Sequence, residues 1–442
     1  MKYLFIILSL ICVYSCSFDT KSGIWKNEDI FTKAKDKNVF KDFKKINYKS
    51  NEFNEIIPIN ENFKFRINKP FLNNSWEDIF YGENNNIENL KYDNENSNFF
   101  KTKRLSNAIV NERILVLDDK LIINDQKGNI IIYSIKEKSI IANFNFYKKR
   151  YKNINKKLYL IVENKIIYVT DNLGFIYAYS YDKKKLIWAK KYKVPFRSNI
   201  KLFSDKLVTS NQNNDLILIN KYSGDILNQL PTEETLINNL FINNIALSDN
   251  KIFFLNSFGS LYSINKNNFK IEWFINLNNS LGSNLSSLFY GSNLVYSKNK
   301  IFVSSGENFY IVNSSNGSVS NRENFYSSFR PIINNNYVFL ITNNNFLISL
   351  NLADGNVIYS YDIAKKISEF TKTKKKEIRI KNYILANNEI FVFLKNSFVV
   401  KFNVYGEIKK IFKLPSNIKS FPLIVDNKIL FVGKKNKLIS LN

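Results

Sequence analysis

Beyond Arg113 the chain alternates short apolar runs with tight polar turns. Leu158-Tyr159-Leu160-Ile161-Val162 gives way to Glu163-Asn164, then Lys165-Ile166-Ile167-Tyr168-Val169-Thr170, then Asp171-Asn172-Leu173-Gly174. Phe175-Ile176-Tyr177-Ala178-Tyr179 follows, and Lys185-Leu186-Ile187-Trp188 opens a fourth run. Runs this short, rich in β-branched and aromatic residues and bounded by turn formers, predict strands rather than helices. Their near-continuous apolar character suits sheets covered on both faces. The first turn recurs from Asp118-Asp119-Lys120 through Asn387-Asn388-Glu389 to Asp426-Asn427-Lys428, at intervals of about 44 residues, the length of a four-stranded blade. The pattern predicts an all-β fold, an eight-bladed β-propeller of four-stranded antiparallel blades over residues 61–442.

Only 13 of the 442 residues are Gly. Asn and Asp, which tolerate the left-handed backbone of a two-residue hairpin, take the turn positions instead, as in Asn213-Asn214 and Asn343-Asn344. The eighth repeat supplies Phe421 to Val425, Lys428 to Val432 and Lys437 to Leu441, and so lacks a fourth strand. An open edge invites aggregation. An upstream segment is therefore expected to complete that blade, with Phe99-Phe100-Lys101-Thr102-Lys103 ahead of Phe63-Lys64-Phe65-Arg66-Ile67.

The N-terminus differs from the repeats. Met1-Lys2 and an apolar run from Tyr3 to Val13, too short to span a bilayer, lead into Val13-Tyr14-Ser15-Cys16. This reads as a lipoprotein signal peptide over residues 1–15 with Cys16 as the acylated first residue; an ordinary signal peptide containing a cysteine is the alternative. Residues 16–60 are polar, Lys- and Asn-rich and without periodicity, the composition of a flexible lipid-anchored tether.

Composition narrows the chemistry. The chain has no His, so histidine-based nucleophilic catalysis and His-ligated zinc are excluded. Of its two Cys, Cys12 leaves with the signal and Cys16 carries lipid, which leaves no disulfide framework. No Gly-rich phosphate loop, EF-hand series of acids or Gly-x-Ser-x-Gly elbow is present. The net charge of +26 suggests nucleic acid or an anionic membrane. Its Lys residues are nevertheless spread over turns, loops and tether, and a secreted chain does not meet nucleic acid. The run Lys372-Thr373-Lys374-Lys375-Lys376 falls in the longest gap between repeats, 363–381, and reads as a solvated loop able to touch acidic lipid or protein.

The Asp-Asn-Leu-Gly turn, the Phe-Ile-Tyr-Ala-Tyr strand and the closing Leu-Ile-Trp resemble the repeat of pyrroloquinoline-quinone-type propellers. Leu347 to Tyr359 is a second copy. With the lipobox, the chain is similar to the lipoprotein propellers of the outer-membrane β-barrel assembly (BAM) machinery. That resemblance implies a non-enzymatic periplasmic scaffold without cofactor or metal. It would be anchored to the outer membrane through Cys16, since Ser17 rather than Asp follows. It would dock on a POTRA domain of the barrel-forming subunit and aid insertion of outer-membrane proteins, with nascent chains as further partners.

Within Tyr192-Lys193-Val194-Pro195-Phe196-Arg197-Ser198, the resemblance assigns Phe196 as apolar anchor and Arg197 as bidentate donor to that partner. Glu233 and Glu234, in the matching loop of the next blade, take the family's acidic positions. Plainer readings are packing beneath the loop for Phe196 and a solvated blade-edge residue for Arg197. Trp188 and Trp273 are expected to dock between neighbouring blades. Two other functions stand beside the scaffold. One is a generic envelope-anchored binding propeller. The other is a quinone-dependent dehydrogenase, whose vicinal disulfide this chain cannot form and whose acid set has no counterpart here.

Overall fold

The computed structural model describes residues 53–93, 99–234, 241–278 and 289–442, and one short strand pair before them. The chain divides into two units, Met1–Asn51 and Glu52–Asn442. In the first, Ser17–Phe18 pairs antiparallel with Trp25–Lys26. The signal peptide, Cys16 and most of the expected tether lie outside the described residues.

The second unit folds as eight four-stranded antiparallel sheets. Blades 1 to 8 span 115–145, 158–191, 201–230, 244–276, 295–323, 332–362, 380–413 and 423–441. Strands follow chain order from the inner, channel-side strand outward. The second and third strands carry the core: Phe175–Ser180 is buried throughout, since neighbouring blades cover both faces. Blade 8 is completed by Phe99–Lys101, with Phe99 opposite Leu441, Phe100 opposite Ser440 and Lys101 opposite Ile439. This is the closure expected of that segment.

The turn chemistry is as the Asn content implies. Asn164 and Lys165, Lys298 and Asn299, Asn387 and Asn388, and Asp426 and Asn427 all have φ between 48° and 63°, which two-residue hairpins require. The two tryptophans lock blade to blade. Trp188 Nε1 donates to Lys221 O at 3.0 Å and Trp273 Nε1 to Ser314 O at 3.1 Å, each in the following blade. Each indole lies against a turn glycine there: a Cβ on Gly224 would sit 2.5 Å from Trp188, and one on Gly317 2.6 Å from Trp273.

Gly317 also has φ +75°, whereas Gly306, at φ +58°, has no atom within 4 Å of a Cβ. Gly317→Ala is therefore expected to cost about 1–3 kcal/mol, well above Gly306→Ala, because it adds an indole clash to a left-handed backbone. Melting temperatures of the two variants measure the difference; equal losses would remove the blade contact as the cause.

The segment 53–93 departs most from expectation. Residues 53–60, assigned to the tether, lie on the ring instead. Phe53 packs edge-on against Phe325 at 5.4 Å, and Ile57 and Ser360 exchange both backbone hydrogen bonds. Residues 63–67 form no blade strand; Phe65 lies among Tyr337 of blade 6 and Tyr405 of blade 7 at 4.8 and 5.2 Å. Apolar side chains spaced through a polar segment explain the difference, because they bury between blades what the surrounding Asn and Lys leave exposed.

Residues 73–90 then plug the channel and touch the inner strand of every blade. Trp76 and Val116 of blade 1 exchange backbone hydrogen bonds, and Val162 N of blade 2 donates to Glu77 O at 2.9 Å. Asp78 holds Lys201 of blade 3. Leu247 N of blade 4 donates to Glu83 O, and Tyr296 N of blade 5 to Asn84 O. Asn86 donates to Ile333 O of blade 6 at 2.9 Å and accepts from its N–H at 3.0 Å. Leu90 N reaches Leu385 O of blade 7, and Asn73 Nδ2 reaches Ile424 O of blade 8. Inner strands face the channel with one row of backbone groups unmatched, and an Asn amide, donor and acceptor together, fills such a row. Trp76, Ile79, Phe80, Ile87, Leu90 and Tyr92 are all buried by the insertion.

The gap 363–381 is also not a plain solvated loop. Ile363–Thr371 is a helix, α1, with Asp362 as N-cap accepting from Lys365 N at 2.9 Å. It buries Ile363, Ala364 and Ile367. Apolar residues three and four apart after a capping Asp are the helix signal in this stretch. The lysines after it are exposed, as are Lys365, Glu369 and Phe370 on the outer side of the helix.

Candidate functional site

The loops that enter the inner strands share one face of the ring, opposite the turns just described. The loop 192–200 carries the expected partner residues from the outer strand of blade 2 to the inner strand of blade 3. To cross that interface it drops an aromatic ring into the gap. Phe196 is 1% exposed, packed with Ile161, Ile176 and Ile217, and its N–H donates to Asp171 O at 2.9 Å. The partner-anchor assignment of Phe196 is thus corrected: the ring is core.

Arg197 is half-buried at the surface of the same loop. Its Nε donates to Phe241 O at 2.6 Å, and its carbonyl accepts from Asn243 N at 2.9 Å. Arg197 thereby fastens its loop to the next one, and burial lowers its pKa below the usual guanidinium value. Glu233 turns inward, accepting from Asn256 Nδ2 at 3.1 Å, Ser260 Oγ at 2.9 Å and the Tyr262 hydroxyl. Its carboxylate is an internal acceptor for blade 4 rather than an outward-facing acid. Glu234 is exposed. The structure therefore brings the loops of Arg197 and Glu234 together on one face, and withdraws Phe196 and Glu233 from it.

At the centre of that face the channel opens onto the plug. A cavity of about 200 Å³ has Trp76, Ile79 and Ile87 of the plug in its wall, with Arg113, Arg330, Lys381 and Phe421 around it. A wider chamber of about 420 Å³, bounded by Phe80, Phe241 and Tyr290, adjoins it and shares Arg113 and Asn293. The Arg113 guanidinium lies 3.8 Å from the Phe421 ring centre and 5.2 Å from that of Phe80. Arg330 Nη1 donates to Phe80 O. Burial holds Arg113 down at about 10; burial and then the neighbouring Arg113 charge hold Arg330 at about 9. Lys381 pairs with Glu112 at 2.9 Å at the rim.

These cations were not singled out from sequence. Each arginine sits just ahead of an inner strand, in Glu112-Arg113-Ile114 and Phe329-Arg330-Pro331, and only eight Arg stand among 64 basic residues. Arginine is the scarce base here, and its positions are the readable signal.

Comparison with known proteins agrees with this architecture. The model of the family described as outer membrane protein assembly factor BamB matches residues 157–361, which are blades 2 to 6. No curated protein sequence matches the chain. BamB from Moraxella catarrhalis is similar at 12% identity with a TM-score of 0.62, over 78% of this chain and 99% of that one. Quinohemoprotein alcohol dehydrogenase from Comamonas testosteroni is similar at 8% identity and TM-score 0.62, over 83% and 80%. The computationally designed Ika8 protein is similar at 9% identity and TM-score 0.57, over 77% and 98%. At such identities the solved structures speak for fold alone. The chain is thus an eight-bladed propeller whose blades 2 to 6 are similar to the BamB family model, and whose fold is shared by BamB and by the quinohemoprotein dehydrogenase.

Proposed function

We propose that the protein is a non-enzymatic scaffold of outer-membrane β-barrel assembly, held at the periplasmic face of the outer membrane by a lipid on Cys16. The observation that carries this reading is the BamB-family match across blades 2 to 6, set in a complete eight-bladed ring. The absence of His and the single cysteine left after signal cleavage support a binding rather than a catalytic role. The barrel-forming subunit docks through a POTRA domain on the loop face, with Arg197 as the charged contact and Glu234 as an accessory. A bidentate guanidinium on a loop that is itself fastened to its neighbour is a preorganised contact.

The test is affinity purification of the full chain from detergent-solubilised envelopes. Recovery of the barrel-forming subunit is expected, reduced about tenfold by Arg197→Glu in a variant that keeps the native circular-dichroism spectrum and cooperative unfolding. Recovery of a different envelope protein in its place would overturn the scaffold reading. Undiminished recovery with Arg197→Glu would remove Arg197 from the interface while leaving the scaffold in place.

A further inference from the structure

The charges around the channel do not balance. Lys201 is satisfied by Asp78, Gly82 O and Asn85 Oδ1. Lys381 has Glu112. The two arginines between them have no acid to themselves. Among the described residues the Arg113 guanidinium has no hydrogen bond or ion pair; it lies over the rings of Phe421 and Phe80, with Glu112 and Asp78 as the acids near enough to act on it. Among the described residues the guanidinium of Arg330 makes a single hydrogen bond, to Phe80 O. A guanidinium has five N–H donors, and most of those of Arg113 and Arg330 have no acceptor among the described residues while both side chains stay only partly buried at the cavity.

Both arginines line the same cavity, whose volume far exceeds the roughly 15 Å³ that one water needs. Serine and asparagine (Ser328, Asn293 and Asn382) add polar groups to its wall, while Phe421 and Ile79 supply apolar surface. We infer that this cavity is a binding site for a small organic anion, a carboxylate or phosphate ester whose oxygens are gripped between Arg113 and Arg330. The fork geometry of guanidinium matches both oxyanions, and the apolar wall takes the body of the molecule. The plug is part of the site: Phe80 supplies a ring under Arg113 and the carbonyl that aims Arg330, and Ile79 helps line the cavity. The inference does not depend on the scaffold reading, because no partner protein enters it.

Isothermal titration calorimetry on the full chain at low ionic strength, with inorganic phosphate in one arm and benzoate in the other, tests it. Saturable one-to-one binding is expected in at least one arm; phosphate alone assigns a phosphate ligand, and benzoate alone a carboxylate. Arg113→Gln and Arg330→Gln should each weaken binding about tenfold or more, and the surface variant Arg322→Gln should not. A second readout needs no variant. The bound anion should protect Arg113 and Arg330 of the native chain from phenylglyoxal, mapped by mass spectrometry. Absence of binding in both arms at millimolar anion, or binding that neither variant weakens and that leaves both arginines reactive, would overturn the site.

Discussion

Asp78→Asn is expected to destabilise the ring by about 3–5 kcal/mol, one of the largest losses available to a single polar substitution here. Asp78 and Lys201 are 2% and 1% exposed at their side chains. Their ion pair joins the plug to blade 3. Burial already disfavours the Lys201 ammonium, and the adjacent carboxylate opposes that effect. With the carboxylate gone, an ammonium remains in the interior with only neutral acceptors. Asp78 also accepts from Phe80 N through its other oxygen, a bond that the Asn amide oxygen retains, so the loss falls on the Lys201 contact. Chemical denaturation followed by tryptophan fluorescence measures the loss, with Trp76 buried beside Tyr81 at 4.6 Å as a local reporter. The double variant Asp78→Asn, Lys201→Met should recover most of it, since removing both charges removes the desolvation cost. A double variant as unstable as the single one would show that the pair is not the cause.

Excision of residues 53–93 should have a still larger effect. Six large apolar side chains leave the channel, each worth about 1.5–3 kcal/mol, on the order of 10 kcal/mol together. That is comparable with the whole stability of an ordinary fold, about 5–15 kcal/mol. Inner strands in all eight blades also lose hydrogen-bond partners. The excised chain keeps its closing strand Phe99–Lys101, so any loss belongs to the plug rather than to an open blade. Loss of cooperative thermal unfolding is expected, with partial rescue by a peptide spanning residues 71–93. A cooperative transition at the native temperature would show the plug to be dispensable.

The parts of the molecule that repeat were legible in the sequence. Apolar runs at fixed spacing located the blades, the Asn and Asp turns located the hairpins, and the missing fourth strand pointed to Phe99–Lys101. Each follows from local chemistry that recurs eight times, so one weak instance is supported by seven others. The plug occurs once and has no period. Its buried asparagines look like those of a tether, because an amide reveals nothing of whether water or a strand edge will satisfy it. Phe196 shows the same limit: an aromatic beside an arginine in a loop reads equally as a contact or as a stopper, and packing between blades 2 and 3 decides for the stopper. Helix α1 was readable from Asp362 and the spacing of Ile363 and Ile367, but lay hidden behind the conspicuous lysines that follow it. The channel arginines were hidden by abundance, because a chain so rich in lysine makes every positive charge look like background.

The pairing of Phe99–Lys101 with Leu438–Leu441 bears on the order of events during folding. Hydrogen bonds such as Leu438 N to Thr102 and Asn73 to Ile424 join residues 336 and 351 positions apart. Blades can form one after another as the chain emerges, since each is built from neighbouring residues. The plug and the closing strand are made first yet cannot be seated until blade 8 exists, so they wait through nearly the whole of synthesis. Long-range closure of this kind is slow, and the unpaired edges of a partial ring are exposed throughout. An early segment whose polar residues keep it soluble for that interval, and whose amides later pair with whichever inner strand they reach, is suited to waiting. The same logic makes the last few strand residues disproportionately sensitive: a lesion at Leu438 or Leu441 strikes the final step, on which the placement of Asn73 and of Phe99–Lys101 depends.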